Sequence, residues 1–166
     1  MNDLVLHKAE ITSENGIKIR FVYDEGGDVL EIFFAENEPA TGIELTNHIL
    51  LRLNQTTKRV ISLTILHFSV LAQQTEYGPR SYPLDNLEEL PEALREMTLR
   101  LLIRPPVNQF LKLSHFQETP TKQVPLTYVE PSYFIPTNKT AEPAVEVAMA
   151  HYFDRNQRFS LISPSR

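Results

Sequence analysis

The stretch Arg20–Phe34, "RFVYDEGGDVLEIFF", decides how this chain folds. Two apolar runs flank a short acidic and glycine-rich break. Upstream, Ile17, Ile19, Phe21 and Tyr23 alternate with Lys18, Arg20 and Val22. Downstream, Leu30, Ile32 and Phe34 alternate with Val29, Glu31 and Phe33. Period two on both sides predicts two half-buried strands joined by a hairpin turn. In that reading Gly26 and Gly27 supply positive φ for the reversal, and Asp24 and Asp28 hydrogen-bond turn amides. Asp28→Ala is then expected to cost about 1 kcal/mol.

The same period continues. Gly42–Asn54 contains a third strand, with Ile49, Leu51 and Leu53 on one face and His48, Leu50 and Arg52 on the other. Lys58–Leu71 is the fourth, with Ile61, Leu63 and Ile65 facing one way and Val60, Ser62, Thr64 and Leu66 the other. Asn54–Lys58, "NQTTK", has the length and polarity of a second hairpin loop. Two hairpins in succession predict an antiparallel meander, with Glu36–Gly42 between them and a leading strand at Leu4–Glu10.

From Thr75 the pattern changes to a loop and then a helix over Asp85–Arg104. Asp85 is expected to cap it, Pro91 to sit in a first turn, and Glu96 to pair with Arg100. Arg104-Pro105-Pro106 ends it. Val107–Phe116 fits helix slightly better than strand. Gln123–Pro136 reads as extended chain on a surface or as an edge strand, and Pro143–Gln157 as a last helix. The fold class expected is α+β: a meander of about four strands packed on a helix, with a proline-punctuated C-terminal extension. The corresponding divisions are 1–74, 75–118 and 119–166.

Composition narrows the chemistry. The 166 residues include no cysteine, which removes disulfides, thiolate zinc sites and thiol catalysis. Hydrophobic residues make up 42%, enough for a core. No apolar run approaches the roughly 20 residues of a membrane span, and no secretory signal pattern is read at the N-terminus, so a cytoplasmic location is expected. The net charge is −5, and residues 1–79 hold 6 Lys+Arg against 11 Asp+Glu. That balance favours a basic partner and disfavours nucleic acid.

Candidate chemistry is sparse. Asp24, Glu25 and Asp28 lack the spacing of a calcium loop, and no phosphate loop follows them. They are candidates for contacting a partner, beside their role as a turn. His48 and His67 fall on neighbouring predicted strands and could meet, with Asp24 and Asp28, in an enzyme or metal site between sheet and helix. Ser69 follows His67 by two residues without a nucleophile-elbow motif. Arg155 and Arg158, among Tyr152, Phe153 and Phe159, are the residues that could stack on single-stranded nucleic acid. No cofactor motif and no catalytic constellation is read.

Over residues 17–71 the chain resembles the YuzE-like family, domain of unknown function 2283. The matching residues are Tyr23, Asp24, Asp28, Leu30, Ile32, Asn54, Val60, Ile61, Leu63, Ile65 and Leu66; Ser62 and Thr64 depart from the usual glycine and acidic residue. The resemblance implies a small antiparallel sheet with a following helix and no established activity. It also implies a role like that of relatives that look like antitoxin partners of small basic toxins. The expectation is a non-catalytic protein-interaction module, with a basic protein or a second copy of itself at a sheet edge as partner.

Overall fold

The alternating runs fold as strands, and their register shows a different topology from a meander. The structure, a computed structural model, describes residues 6–13 and 15–130. Strand β1 is Leu6–Thr12, β2 Lys18–Asp24, β3 Val29–Phe33, β4 Thr41–Thr46, β5 Ile49–Asn54 and β6 Arg59–Leu66. They form one antiparallel sheet in the order β1-β2-β3-β6-β5-β4. The sheet therefore has six strands rather than about four.

One added strand is the expected leading strand, here β1; the other comes from the stretch Gly42–Asn54. It is not one strand but a hairpin, β4 and β5, reversing at Asn47-His48, where the His48 N–H donates to Thr46 Oγ1 at 3.0 Å. The chain leaves β3, crosses to the far edge as β4, and returns through β5 to lay β6 beside β3. This is a Greek-key connection. It puts β3 and β6, with most of their residues apolar, in the middle.

One face of the sheet is the core. Ile19, Phe21, Tyr23, Leu30, Ile32, Leu51, Leu63 and Ile65 are all buried on it. A bulge changes one expected facing. Arg52 lies opposite Ser62 and Leu53 opposite Val60, so Ile61 is the extra residue in β6. Val60 thus joins the core cluster, while Ile61 turns its carbonyl to accept from Phe34 N at 2.9 Å.

A second layer covers this face. After β6 come a short helix α1 (Phe68–Leu71), two-residue strands β7 (Gln74–Thr75), β8 (Gly78–Pro79) and β9 (Tyr82–Pro83), helix α2 (Glu92–Leu102), and strands β10 (Leu111–Thr119) and β11 (Lys122–Val129). The expected helix 85–104 is shorter. Asp85–Glu89 is a 3₁₀ turn without a side-chain cap from Asp85, and Pro91 sits at the N-cap of α2 in extended conformation. α2 turns Thr98 and Leu102 inward, and the buried Thr98 hydroxyl donates to Leu94 O at 2.8 Å. Glu96 and Arg100 lie 3.8 Å apart, as their spacing predicts.

Val107–Phe116 is not helix. After a 3₁₀ turn at Val107–Gln109 it becomes β10, which pairs with β11. Nor is Gln123–Val129 an edge: β11 is the middle strand of a second sheet, β10-β11-β9. It tolerates Pro125 because β9 pairs only with Leu126 and Thr127. The root of this sheet, Leu111 and Val129, is buried in the core, while the distal half of β10 runs out into solvent. The expected helix at 143–157 lies outside the described residues.

Candidate functional site

The acidic hairpin is a structural knot. Asp24 pairs with Val29, so the loop holds Glu25, Gly26, Gly27 and Asp28. The residue with positive φ is Asp28 (53°), and neither glycine of the loop has it. The β5–β6 loop is built alike: Asn54 pairs with Arg59, and the last loop residue, Lys58, has φ 54°. There the Asn54 Oδ1 accepts from Thr56 N and Thr57 N at 3.0 and 3.2 Å. Asp is one of the few residue types that enters the left-handed region readily.

Asp28 does not bond turn amides. Its carboxylate accepts from the Tyr23 hydroxyl at 2.7 Å, from Ser69 N at 3.0 Å and from the Ser69 hydroxyl at 2.6 Å. Its own carbonyl accepts from Phe68 N at 3.0 Å. The hairpin is thereby tied to the start of α1, whose first N–H groups have no intrahelical acceptor. Tyr23 is 1% exposed and meets Phe68 edge-on at 6.0 Å, so the knot also anchors the core.

The other two acids are local. Glu25 Oε2 lies 3.0 Å from His7 Nε2, and His7 stacks on Tyr23 at 6.3 Å, which fastens β1 to the hairpin. Asp24 folds back over the loop. A Cβ at Gly27 would fall 2.7 Å from Asp24 Oδ2, whereas one at Gly26 would stand 3.5 Å from Asp24 Oδ1. Glycine at 27 is not required for φ; a Cβ there would displace the end of the Asp24 side chain, so Gly27→Ala is expected to cost at most about 1 kcal/mol and Gly26→Ala less than about 0.5 kcal/mol, read by denaturant melts.

His48 and His67 do meet, with ring centroids 5.3 Å apart in an edge-on contact. Neither sits on a strand as expected. His48 is in the β4–β5 turn and its carbonyl accepts from Leu66 N at 2.8 Å; His67, with φ 53°, links β6 to α1. Beside His48 lies a hollow of about 220 Å³ lined by Thr46, Tyr82, Asp85 and Asn86. Burial raises the Tyr82 hydroxyl above its ordinary pKa, against the lowering effect of Arg80. Among the described residues no three His, Asp or Glu side chains gather as metal ligands. Asp28 is engaged by Tyr23 and Ser69 and Asp24 lies over its own loop, and neither joins the imidazole pair. Two imidazoles are fewer than the three protein ligands of catalytic zinc. Among the described residues no histidine hydrogen-bonds Ser69, which gives its hydroxyl to Asp28. Arg155 and Arg158 lie outside the described residues.

The feature not read from the sequence is the outer face of the six-stranded sheet. Register places Glu10, Arg20, Phe33, Ser62 and Arg52 in one row across β1, β2, β3, β6 and β5. Arg20 lies over the Phe33 ring at 4.4 Å, with its Nε 3.1 Å from Glu36. A hollow of about 470 Å³ opens there, lined also by Arg52, Ile61 and Ser62. The next row is Lys8, Val22, Glu31, Thr64, Leu50 and Glu44; beyond it Leu6, Asp24, Val29 and Leu66 follow. Val22, Val29, Phe33 and Leu50 are half-buried, and Leu66 is 39% exposed. The rows depend on β6 lying beside β3, which strand periodicity alone does not reveal.

No helix of the described residues is long and apolar enough to cross a membrane. No family model, curated protein or solved structure matches the chain.

Proposed function

We propose that this chain is a non-catalytic protein-interaction module that takes a basic protein as partner, antitoxin-like or in assembly, as the YuzE-like resemblance implies. The observation that carries it is the outer sheet face. Half-exposed Val22, Val29, Phe33 and Leu50 and the exposed Leu66 lie there, among Glu10, Glu31 and Glu44 and the basic Lys8, Arg20 and Arg52. Apolar side chains with charged neighbours of both signs suit a partner that brings apolar anchors and a complementary charged rim. The excess of acidic residues over the first 79 positions is what supports a basic partner. Asp28 ties the hairpin to α1, Glu25 pairs with His7 and His48 packs on His67, contacts that support a non-catalytic reading. Self-association through a sheet edge is a second use of the same sheet.

The test is co-purification at low salt. Wild type recovers a basic protein at one-to-one stoichiometry, and Leu66→Lys with Val22→Lys loses it while melting within about 3 °C of wild type. Absence of any stoichiometric partner for wild type counts against the proposal.

A further inference from the structure

The two edges of the six-stranded sheet are not equivalent. β4 is interrupted by a bulge between Glu44 and Thr46, and the 3₁₀ turn at Asp85–Glu89 packs against it. Bulges and covering segments are the usual means of keeping an edge from pairing. Among the described residues β1 has neither device. Its seven residues pair with β2 without interruption from Leu6↔Asp24 to Thr12↔Lys18, and it contains no proline or glycine. Its charged side chains, Lys8 and Glu10, are exposed and stand on the outer face, so they do not block approach along the edge.

We infer that β1 pairs antiparallel with β1 of a second copy of this chain, about a two-fold axis at Ala9. This develops the self-association part of the proposed function and does not depend on the basic partner. The register follows from faces and charge. Opposite residues in an antiparallel pair share a face, so inward His7, Ala9 and Ile11 must meet inward residues of the other copy. That leaves axes on a residue, and three of them keep most of the strand paired. An axis at Lys8 sets Lys8 against its own copy, and an axis at Glu10 sets Glu10 against its own copy; both oppose like charges. The axis at Ala9 pairs all seven residues. It sets Lys8 opposite Glu10 of the second copy twice, Ala9 against Ala9, His7 against Ile11, and Leu6 against Thr12. The small, 5% exposed Ala9 at the axis lets the two backbones and the two cores run on without a clash. The interface is isologous, as a closed dimer requires.

Sedimentation velocity of the full chain across a concentration series tests this. Wild type moves from the 19.1 kDa monomer to a dimer as concentration rises to about 0.5 mM, and more salt shifts it back. Lys8→Glu sets four carboxylates at the axis and weakens the dimer at least about tenfold. Glu10→Lys does the same with four ammonium groups, at some loss of its intrachain pairing with Lys18. The double exchange Lys8→Glu/Glu10→Lys restores the dimer. Zero-length cross-linking of mixed light and heavy isotope chains gives an intermolecular Lys8–Glu10 link in the wild type. A chain that stays monomeric throughout overturns the inference. So does a dimer indifferent to both single exchanges, or one that the double exchange fails to restore.

Discussion

Asp28→Ala is expected to lower the stability of the fold by about 3 kcal/mol, three times the value that a local turn bond suggests. The carboxylate serves three donors, the Tyr23 hydroxyl and both the amide and the hydroxyl of Ser69. Tyr23 is buried, so its hydroxyl cannot turn to water at no cost. Hydrogen bonds to a charged group contribute about 1.5–3 kcal/mol each when well placed, and less at this half-buried site. Alanine at φ 53° adds about 1 kcal/mol of backbone strain. Thermal melts should show a fall of about 10 °C. Asp28→Gly separates the two contributions: it removes the same side chain without the strain, and should recover about 1 kcal/mol relative to alanine. An Asp28→Ala protein as stable as wild type would mean the knot contributes nothing to folding.

Phe110→Ala is expected to cost about 4 kcal/mol, the largest loss for any single side chain considered. Phe110 is 0% exposed and sits where the two layers join. Its ring meets Phe21 edge-on at 5.5 Å and Phe34 at 5.9 Å, both from the sheet layer. Its carbonyl accepts from Glu130 N at 2.9 Å, which closes the root of β10 and β11. Truncation opens a cavity between layers that neither can fill without moving. Urea titration should move the midpoint down without losing cooperativity. Phe116, 56% exposed on the distal part of β10, provides the comparison, and Phe116→Ala should change stability by less than about 0.5 kcal/mol.

These two residues mark how far the sequence could be read. Around Arg20–Phe34 the alternation was strong, and β2 and β3 fell where it placed them. Asp28 was visible as a hairpin residue, but its acceptors lie 41 positions from Ser69, a distance at which local patterns carry no information. Val107–Phe116 contains Val107, Phe110, Leu111 and Leu113, a spacing that helix and strand share over so short a run. The choice was decided by pairing with β11. Gly42–Asn54 misled in the same way. Its reversal at Asn47-His48 uses neither glycine nor proline, and a single Asn inside an apolar run is a weak turn signal, so the strand count came out low. With β4 missed, β6 could not be placed beside β3, and the outer face could not be assembled. His48 and His67, which neighbouring strands would allow to meet, do meet, but from a turn and a junction.

Recognition through the outer face, with the acidic hairpin serving structure alone, is tested most directly by calorimetric titration of the isolated partner into two variants. Leu66→Lys with Val22→Lys changes the face and leaves the hairpin intact. Glu25→Gln removes a hairpin charge and leaves the face intact. The expected result is at least a tenfold loss of affinity for the face variant and a change of less than about twofold for Glu25→Gln. Full affinity in the face variant together with a large loss for Glu25→Gln would contradict it, and would return recognition to the acidic loop.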